Sequence, residues 1–176
     1  EKAKRLAEEL GAHLTLLPGE VAADCDVVFL GVKPHLLLEL LAELRPVLDG
    51  RREKPLLVSM AAGVTIAAIE QAVPGCPVLR IMPNTACAVG AGLTLYARND
   101  LVTEESMADF LAAMSASGRI EPLPGDRDGG ASDLDLDRAA GGHEQVRGLL
   151  VGHQRQQSFH RHRSGSLTSV PRPCRW

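Results

Sequence analysis

The sequence lacks the features that would indicate a zinc site, a disulfide-bonded protein or a membrane protein. Its only cysteines are Cys25, Cys76, Cys87 and Cys174, and none belongs to a CxxC pair. This spacing predicts neither a zinc ribbon nor a disulfide framework, so we expect reduced thiols in the cytoplasm. No apolar run reaches the roughly 18 residues that cross a bilayer. The amino terminus begins in a helical pattern with no signal-peptide core, so we expect the chain to begin inside a larger protein.

The sequence also has no excess of positive charge. It has 19 Lys and Arg residues and 22 Asp and Glu residues, which gives a formal net charge of −3. Nucleic acids and anionic membranes bind cationic surfaces, so this balance predicts neither as a partner. The late histidines fit no common zinc spacing, so we expect no bound metal. The arginines from Arg155 onward would give only nonspecific, salt-sensitive adhesion to nucleic acid.

Apolar segments and helical patterns alternate through the first two thirds of the chain. Short runs in which successive residues are apolar predict strands buried on both faces, as in a parallel sheet. The predicted strands are residues 27–32, 56–60, 77–82, 93–97 and 119–123. The predicted helices are residues 1–11, 34–48, 65–73 and 103–117. This alternation predicts an α/β fold: a Rossmann-like, doubly wound, mostly parallel sheet that lacks its first βα unit and occupies residues 1–124.

The composition changes abruptly after Pro124. Lys and Ile no longer occur, while Gly, Asp, Arg, His, Gln and Ser dominate without any helical or strand period. Such sequence buries too little apolar surface to offset chain entropy, so we expect residues 125–176 to form a disordered tail. A genuine linker and tail would explain the change, but a shifted reading frame explains it better. Sequencing the gene across codons 120–130 separates the two explanations.

Small and polar residues follow three of the predicted strands at the point where each strand ends. The segments are Gly31-Val32-Lys33-Pro34, Ser59-Met60-Ala61-Ala62-Gly63 and Arg80-Ile81-Met82-Pro83-Asn84-Thr85. Ligands of open α/β sheets bind outside the carboxyl ends of the strands. Small residues and prolines let the backbone approach a flat ligand or fix a turn. We therefore expect the three segments to form one site.

Together these segments resemble the pyrroline-5-carboxylate reductase family. The likeness covers about residues 1–123 and depends on VFLGVKPH at 28–35, VSMAAGVTI at 58–66 and LRIMPNT at 79–85, in this order and spacing. It implies an NAD(P)H-dependent oxidoreductase that passes a hydride from NADPH or NADH to the C=N carbon of 1-pyrroline-5-carboxylate. The product is L-proline, and the reaction is the last step of proline biosynthesis. Complete members of the family are homo-oligomers.

The resemblance implies roles for the residues of the three segments. Those expected along the nicotinamide-ribose end of the cofactor are Gly31, Val32, Lys33, Pro34, Met60, Ala61 and Ala62. Those expected to border the nicotinamide and the substrate are Met82, Pro83, Asn84 and Thr85. It assigns no catalytic side chain. Each residue also has an interpretation without a ligand. Lys33 would cap the sheet edge with a solvated side chain, Asn84 would only form a turn, and Ala61 and Ala62 would only pack.

Three departures from the family pattern bear on activity. The glycine-rich phosphate loop would precede Glu1 and is absent, so the pyrophosphate has no helix N-terminus to sit on. Leu17-Pro18-Gly19 stands where the family commonly has an Asn that faces the cofactor. No segment after residue 124 matches the family's helical dimer domain or its Ser/Gly-rich carboxylate-binding segment. We therefore expect an inactive fragment of a reductase. The alternatives are a non-catalytic truncated product and a nucleotide domain of another two-domain dehydrogenase, of hydroxyacid or prephenate type.

Overall fold

A six-stranded α/β sheet lies at the centre of the computed structural model, which describes residues 2–123 and 150–153. The strands, with spatial order β5-β4-β3-β2-β1-β6, are β1 (Val27–Leu30), β2 (Leu56–Ser59), β3 (Val78–Pro83), β4 (Gly92–Arg98), β5 (Gly118–Pro122) and β6 (Leu150–His153). The helices are α1 (Lys2–Leu10), α2 (Pro18–Asp24), α3 (Pro34–Gly50), α4 (Ile66–Ala72) and α5 (Glu104–Met114). Two short 3-10 helices, Thr85–Val89 and Ser115–Ser117, precede β4 and β5.

The strands β1, β2 and β3 run parallel because α3 and α4 carry the chain back between them. The buried leucines of α3 recur at helical spacing and pack, together with α2 and α4, against one face of the sheet. They are Leu37, Leu41, Leu44 and Leu48. The other face packs against Met107 and Phe110 of α5. Both faces of these strands are therefore covered, which is why successive strand residues are apolar.

The pairing between β3 and β4 is antiparallel. The connection between them, residues 84–91, is shorter than the dozen or more residues that a parallel crossover needs. Helix α5 then returns the chain so that β5 lies parallel to β4. The Rossmann-like, mostly parallel sheet predicted from the sequence is confirmed, and the predicted strands and helices end within a few residues of the observed ones.

The predicted tail falls mostly outside the described residues, and the division at residue 124 stays a prediction. The described exception is β6, which pairs antiparallel with β1. In these four residues the structure differs from the expected disorder. No sequence pattern marks this strand, because backbone groups pair with an open sheet edge without any alternation of side chains.

Two side-chain networks fasten the amino-terminal edge of the parallel strands. Arg51, directly after α3, donates to the carbonyls of Ala22 at 2.8 Å and Cys25 at 2.5 Å, and its guanidinium lies 3.4 Å from the Asp26 carboxylate. Asn99, after β4, accepts from the Val78 N–H at 3.0 Å through Oδ1. The amide nitrogen of Asn99 also donates to the Glu70 carboxylate at 2.8 Å and to the Cys76 carbonyl at 3.1 Å. These contacts tie α2, α3 and α4 to the sheet at one end.

Pro46 lies inside α3 with its side chain exposed, so it weakens the helix without adding to the core. Replacing it with alanine restores a helical N–H donor and removes the ring clash, which is worth about 3 kcal/mol, while the more flexible unfolded chain offsets about 1 kcal/mol. We expect Pro46→Ala to raise the free energy of unfolding by about 2 kcal/mol in urea denaturation. The exposed Glu43→Ala control should stay within about 0.5 kcal/mol of the parent. Equal stability of the Pro46 variant and the parent would contradict this account.

Across residues 2–123 and 150–153, the helices are too short or too polar to cross a membrane.

Candidate functional site

Three segments of the chain leave the sheet side by side at its carboxyl edge. Leu30, Ser59 and Arg80 are aligned partners on β1, β2 and β3. Adjacent strands lie about 4.8 Å apart, so the three exits span about 10 Å. Strand β3 continues past Arg80 to Pro83 and extends about 10 Å beyond the end of β2 at about 3.3 Å per residue. The structure thus brings the three predicted segments together, while their contact with a cofactor stays a prediction.

The first segment leads directly into α3. Gly31 is buried, and Val32 packs partly against the α3 side of the core. Lys33 is the N-cap: its side chain is exposed, and its carbonyl accepts from the Leu36 N–H at 2.9 Å. Pro34 occupies the first turn, where a missing N–H costs nothing. The positive end of the α3 dipole therefore opens at this edge, and Lys33 takes part in the turn through its backbone.

The second segment is a tight turn anchored by a buried serine. Ser59 Oγ accepts from the Ala61 N–H at 3.3 Å, and the Ala61 side chain is only 2% exposed within the core. Any contact of Ala61 with a ligand would therefore involve its backbone. Ala62 is exposed, Met60 is half-buried, and Gly63 takes a positive φ of 75° with no atom within 4 Å of the place that a Cβ would occupy. This turn leaves open space at the edge of the sheet.

The third segment ends in a turn held by Asn84. Its Oδ1 accepts from the Leu93 N–H at 3.3 Å, and its backbone carbonyl accepts from the Cys87 N–H at 3.1 Å. Asn84 and Thr85 are exposed, whereas Met82 and Pro83 are half-buried. The turn-forming interpretation of Asn84 is thus observed, and a role beside the substrate stays a prediction.

Two further side chains lie at this turn, and no sequence motif places them there. Cys87 Sγ lies 3.6 Å from Thr94 Oγ1 and 3.9 Å from Asn84 Oδ1. Thr94 is fully buried and faces Pro83 across the antiparallel pair. From the sequence, Cys87 is expected only as a core or loop residue. The signal that could have found Thr94 is the short link before β4, which turns β4 back along β3 and carries this residue to the site.

Arg80 is a buried charge on the strand that carries this segment, with only 1% of its surface exposed. It pairs in register with Ser59 on one side and with Ala97 on the other. The sequence shows one arginine within the otherwise apolar run 78–82. The sequence pattern places it in the segment that leaves β3 and gives it no further role. Charged side chains are rarely buried without partners, so Arg80 is a buried polar residue within an otherwise apolar strand.

Close backbone packing fixes the base of the same turn. Gly92 and Gly118 are paired residues at the starts of β4 and β5. A Cβ on Gly92 would lie 2.2 Å from Cys87 Sγ, and a Cβ on Gly118 would lie 2.3 Å from the Gly92 carbonyl oxygen. Gly90, with φ 73°, ends the 3-10 helix in the left-handed conformation. Glycine is therefore required where the turn contacts the sheet.

Cys76 is a titratable residue with a shifted pKa, and it lies away from this edge. Burial raises the pKa of the Cys76 thiol, which keeps it protonated, and Cys76 lies at the amino end of β3. Within the described part of the chain, no three His, Cys, Asp or Glu residues are grouped so that they would hold a metal ion. The chemistry that the three exits support is the binding and orientation of a ligand.

Comparisons with known proteins agree with this geometry. A family model described as "NADP oxidoreductase coenzyme F420-dependent" matches residues 1–63. The pyrroline-5-carboxylate reductase of Corynebacterium melassecola is 36% identical over 121 residues, which cover 68% of this chain and 45% of that protein. A solved pyrroline-5-carboxylate reductase from Coxiella burnetii has a TM-score of 0.68 at 29% identity and matches 79% of this chain and 48% of that one.

A Plasmodium falciparum pyrroline carboxylate reductase solved with NADP bound is also similar. It has a TM-score of 0.56 at 26% identity, and the match covers 62% of this chain and 40% of that one. The resemblance inferred from the three exit segments is confirmed. The chain spans less than half the length of these relatives.

Proposed function

Because the described part of the chain shares sequence and fold with pyrroline-5-carboxylate reductases, we propose that it forms the nicotinamide-binding part of such an enzyme. The complete enzyme would reduce 1-pyrroline-5-carboxylate to L-proline with NADPH or NADH, the last step of proline biosynthesis. One observation supports this most directly. The three segments that carry the resemblance are the three that leave β1, β2 and β3 at aligned positions.

The residues at the edge fit a flat dinucleotide end. Backbone at Gly31 to Pro34 and at Met60 to Ala62 would flank the cofactor, and no atom lies within 4 Å of the place that a Cβ on Gly63 would occupy. When bound, the nicotinamide cofactor supplies the hydride. The chain contributes orientation: the projecting end of β3, with Met82 and Pro83, would border the ring and hold the imine carbon against it. Lys33 begins α3 through its backbone, and its side chain is exposed. The proposal therefore gives Lys33 no role as a proton donor.

The phosphate end of the cofactor has less support in this chain. The sequence contains no glycine-rich phosphate loop of the GxGxxG kind. Backbone N–H groups at such a loop supply much of the binding of a pyrophosphate. We therefore propose that the chain alone binds NADPH weakly and is inactive, and that the complete enzyme is a cytoplasmic homo-oligomer. The absence of disulfides among the described cysteines suits that compartment.

A chimera tests the function in the context of a complete reductase. The stretch of the Corynebacterium melassecola reductase that matches this chain over 121 residues is replaced with the corresponding residues of this chain. We expect NADPH oxidation by the chimera to depend on 1-pyrroline-5-carboxylate, and we expect no turnover by the present chain. The unmodified reductase is the positive control, and circular dichroism confirms that the chimera is folded.

Two outcomes would contradict the proposal. A folded chimera that ignores 1-pyrroline-5-carboxylate but oxidises a 2-hydroxy acid or prephenate would favour another two-domain dehydrogenase. Turnover of 1-pyrroline-5-carboxylate by the present chain alone would overturn its description as an inactive fragment.

A further inference from the structure

An asparagine side chain closes each end of the hydrogen-bond ladder between β3 and β4. At the amino end of β3, the Asn99 N–H donates to the Val78 carbonyl at 3.1 Å, and Asn99 Oδ1 accepts from the Val78 N–H at 3.0 Å. At the carboxyl end, the Asn84 N–H donates to the Leu93 carbonyl at 3.3 Å, and Asn84 Oδ1 accepts from the Leu93 N–H at 3.3 Å. At both ends a carboxamide oxygen takes the place of the backbone carbonyl that an antiparallel pair would use.

The carboxamide at the carboxyl end allows the chain to leave the sheet. Because the Asn84 side chain bonds to Leu93, the Asn84 carbonyl can accept from the Cys87 N–H at 3.1 Å, where the 3-10 helix begins. The last residues of β3 therefore project in a direction that depends on the orientation of the Asn84 carboxamide. These residues are Met82 and Pro83, which lie at the candidate site.

A line of contacts runs from inside β4 to this carboxamide. Cys87 Sγ lies 3.9 Å from Asn84 Oδ1 and 3.6 Å from Thr94 Oγ1. Thr94 is fully buried, and a buried hydroxyl needs a hydrogen-bond partner, which the sulfur supplies. Gly92 leaves the space for the sulfur, because a Cβ at that position would collide with Cys87 Sγ. The thiol is therefore held between a buried side chain and the turn.

We propose that Cys87 and Thr94 are positioning residues for the segment that leaves β3. The Thr94 hydroxyl donates to Cys87 Sγ, and the thiol in turn donates to Asn84 Oδ1. The pair thereby fixes the carboxamide that closes the ladder, and with it the direction in which Met82 and Pro83 leave the sheet. That the ligand beside these residues is a cyclic imine rests on the proposed function, whereas the contacts do not.

Hydrogen exchange in the full chain tests the contacts without any enzyme activity. Thr94→Val removes the buried hydroxyl, whereas Thr94→Ser keeps it. We expect the Leu93 amide, which donates to Asn84 Oδ1, to exchange at least about fivefold faster in the valine variant than in the serine variant. The Val78 amide, which donates to Asn99 at the other end of the ladder, should be equally slow in both. Equal exchange of Leu93 in the two variants would overturn the proposal.

A double-mutant cycle tests whether the two residues act together. Cys87→Ala removes the sulfur that contacts both Thr94 and Asn84, so it should speed Leu93 exchange about as much as Thr94→Val does. The double variant should exchange within about twofold of either single variant, whereas effects that multiply would refute the pair. If Thr94→Val unfolds the chain, Val78 also exchanges fast, and Cys87→Ala then decides. Faster exchange of Leu93 in that variant supports the proposal, and unchanged exchange refutes it.

Kinetics of the chimeric reductase test the effect on the reaction. We expect Thr94→Val to lower kcat with 1-pyrroline-5-carboxylate about tenfold, because misplaced reacting atoms slow the chemical step. The KM for NADPH should stay within about threefold, since the phosphate end supplies much of the binding of the cofactor. Thr94→Ser should recover kcat to within about threefold of the parent. The matched control is Ser106→Ala, which removes a buried hydroxyl that bonds to Thr103 at the start of α5 and should leave both constants unchanged.

Two kinetic outcomes would overturn the positioning role. One is an unchanged kcat in the valine variant of an active chimera, and the other is an equal fall in kcat for Ser106→Ala. A parent chimera that does not turn over the imine would instead contradict the proposed function. The exchange of Leu93 would then still decide whether Cys87 and Thr94 hold the Asn84 carboxamide.

Discussion

Replacing Gly118 with alanine is expected to lower the free energy of unfolding by about 3 kcal/mol or more. Gly118 has φ 120° and ψ −146°, a region open almost only to glycine. An added Cβ would also lie 2.3 Å from the oxygen and 2.5 Å from the nitrogen of Gly92. These are backbone atoms of the paired strand, so no side chain can rotate away. Urea denaturation of the two proteins measures the difference.

Substitutions at two other glycines separate the cost of backbone strain from the cost of a steric clash. Gly75 has φ 78° but nothing within 4 Å of a Cβ, so Gly75→Ala should cost only about 1 kcal/mol. Gly50 has open space and no positive φ, so Gly50→Ala should be neutral or slightly stabilising. A Gly118 variant no less stable than the Gly75 variant would mean that β5 does not approach β4 as closely as the structure shows.

Replacing Asn84 with alanine in the chimeric reductase is expected to reduce kcat/KM for 1-pyrroline-5-carboxylate by about a hundredfold. The substitution removes the oxygen that accepts from the Leu93 N–H and so releases the turn beside Met82 and Pro83. Misplacement of a ligand by about 1 Å can cost this much. Steady-state kinetics with varied NADPH and varied imine would measure the loss.

Two control variants make the Asn84 result specific. Asn84→Asp keeps an acceptor oxygen and should retain activity to within about tenfold of the parent. Val89→Ala changes a side chain that is 80% exposed on the same 3-10 helix and should leave the kinetics unchanged. An alanine variant at position 84 with normal kcat/KM would remove Asn84 from the site and leave it only a turn residue.

The core of the fold could be predicted because both faces of its strands are buried. The unbroken apolar runs at 27–30 and 56–59 are what such strands require, and the helical spacing of the α3 leucines identified the covering layer. The direction of β4 was not visible in periodicity. It is set by the length of the link before it, which is too short for a crossover.

The convergence of the three exit segments could be predicted more fully than the burial of their individual residues. Strand ends located the three exits, but side-chain direction is lost once the chain leaves the sheet. The sequence therefore could not distinguish Ala61 from Ala62, whereas the structure buries the first and exposes the second. The position of Thr94 follows from the direction of β4, and the position of β6 follows from the backbone edge of β1. Neither position could therefore be predicted from residue type.

The Arg51 and Asn99 networks lie at the end of the sheet opposite the three exits. Helices fastened at that end keep the exits in place without help from the exit residues themselves. Substitutions at the exposed positions of the exits can therefore accumulate over evolution at little cost in stability, and selection on ligand choice alone would decide which of them persist.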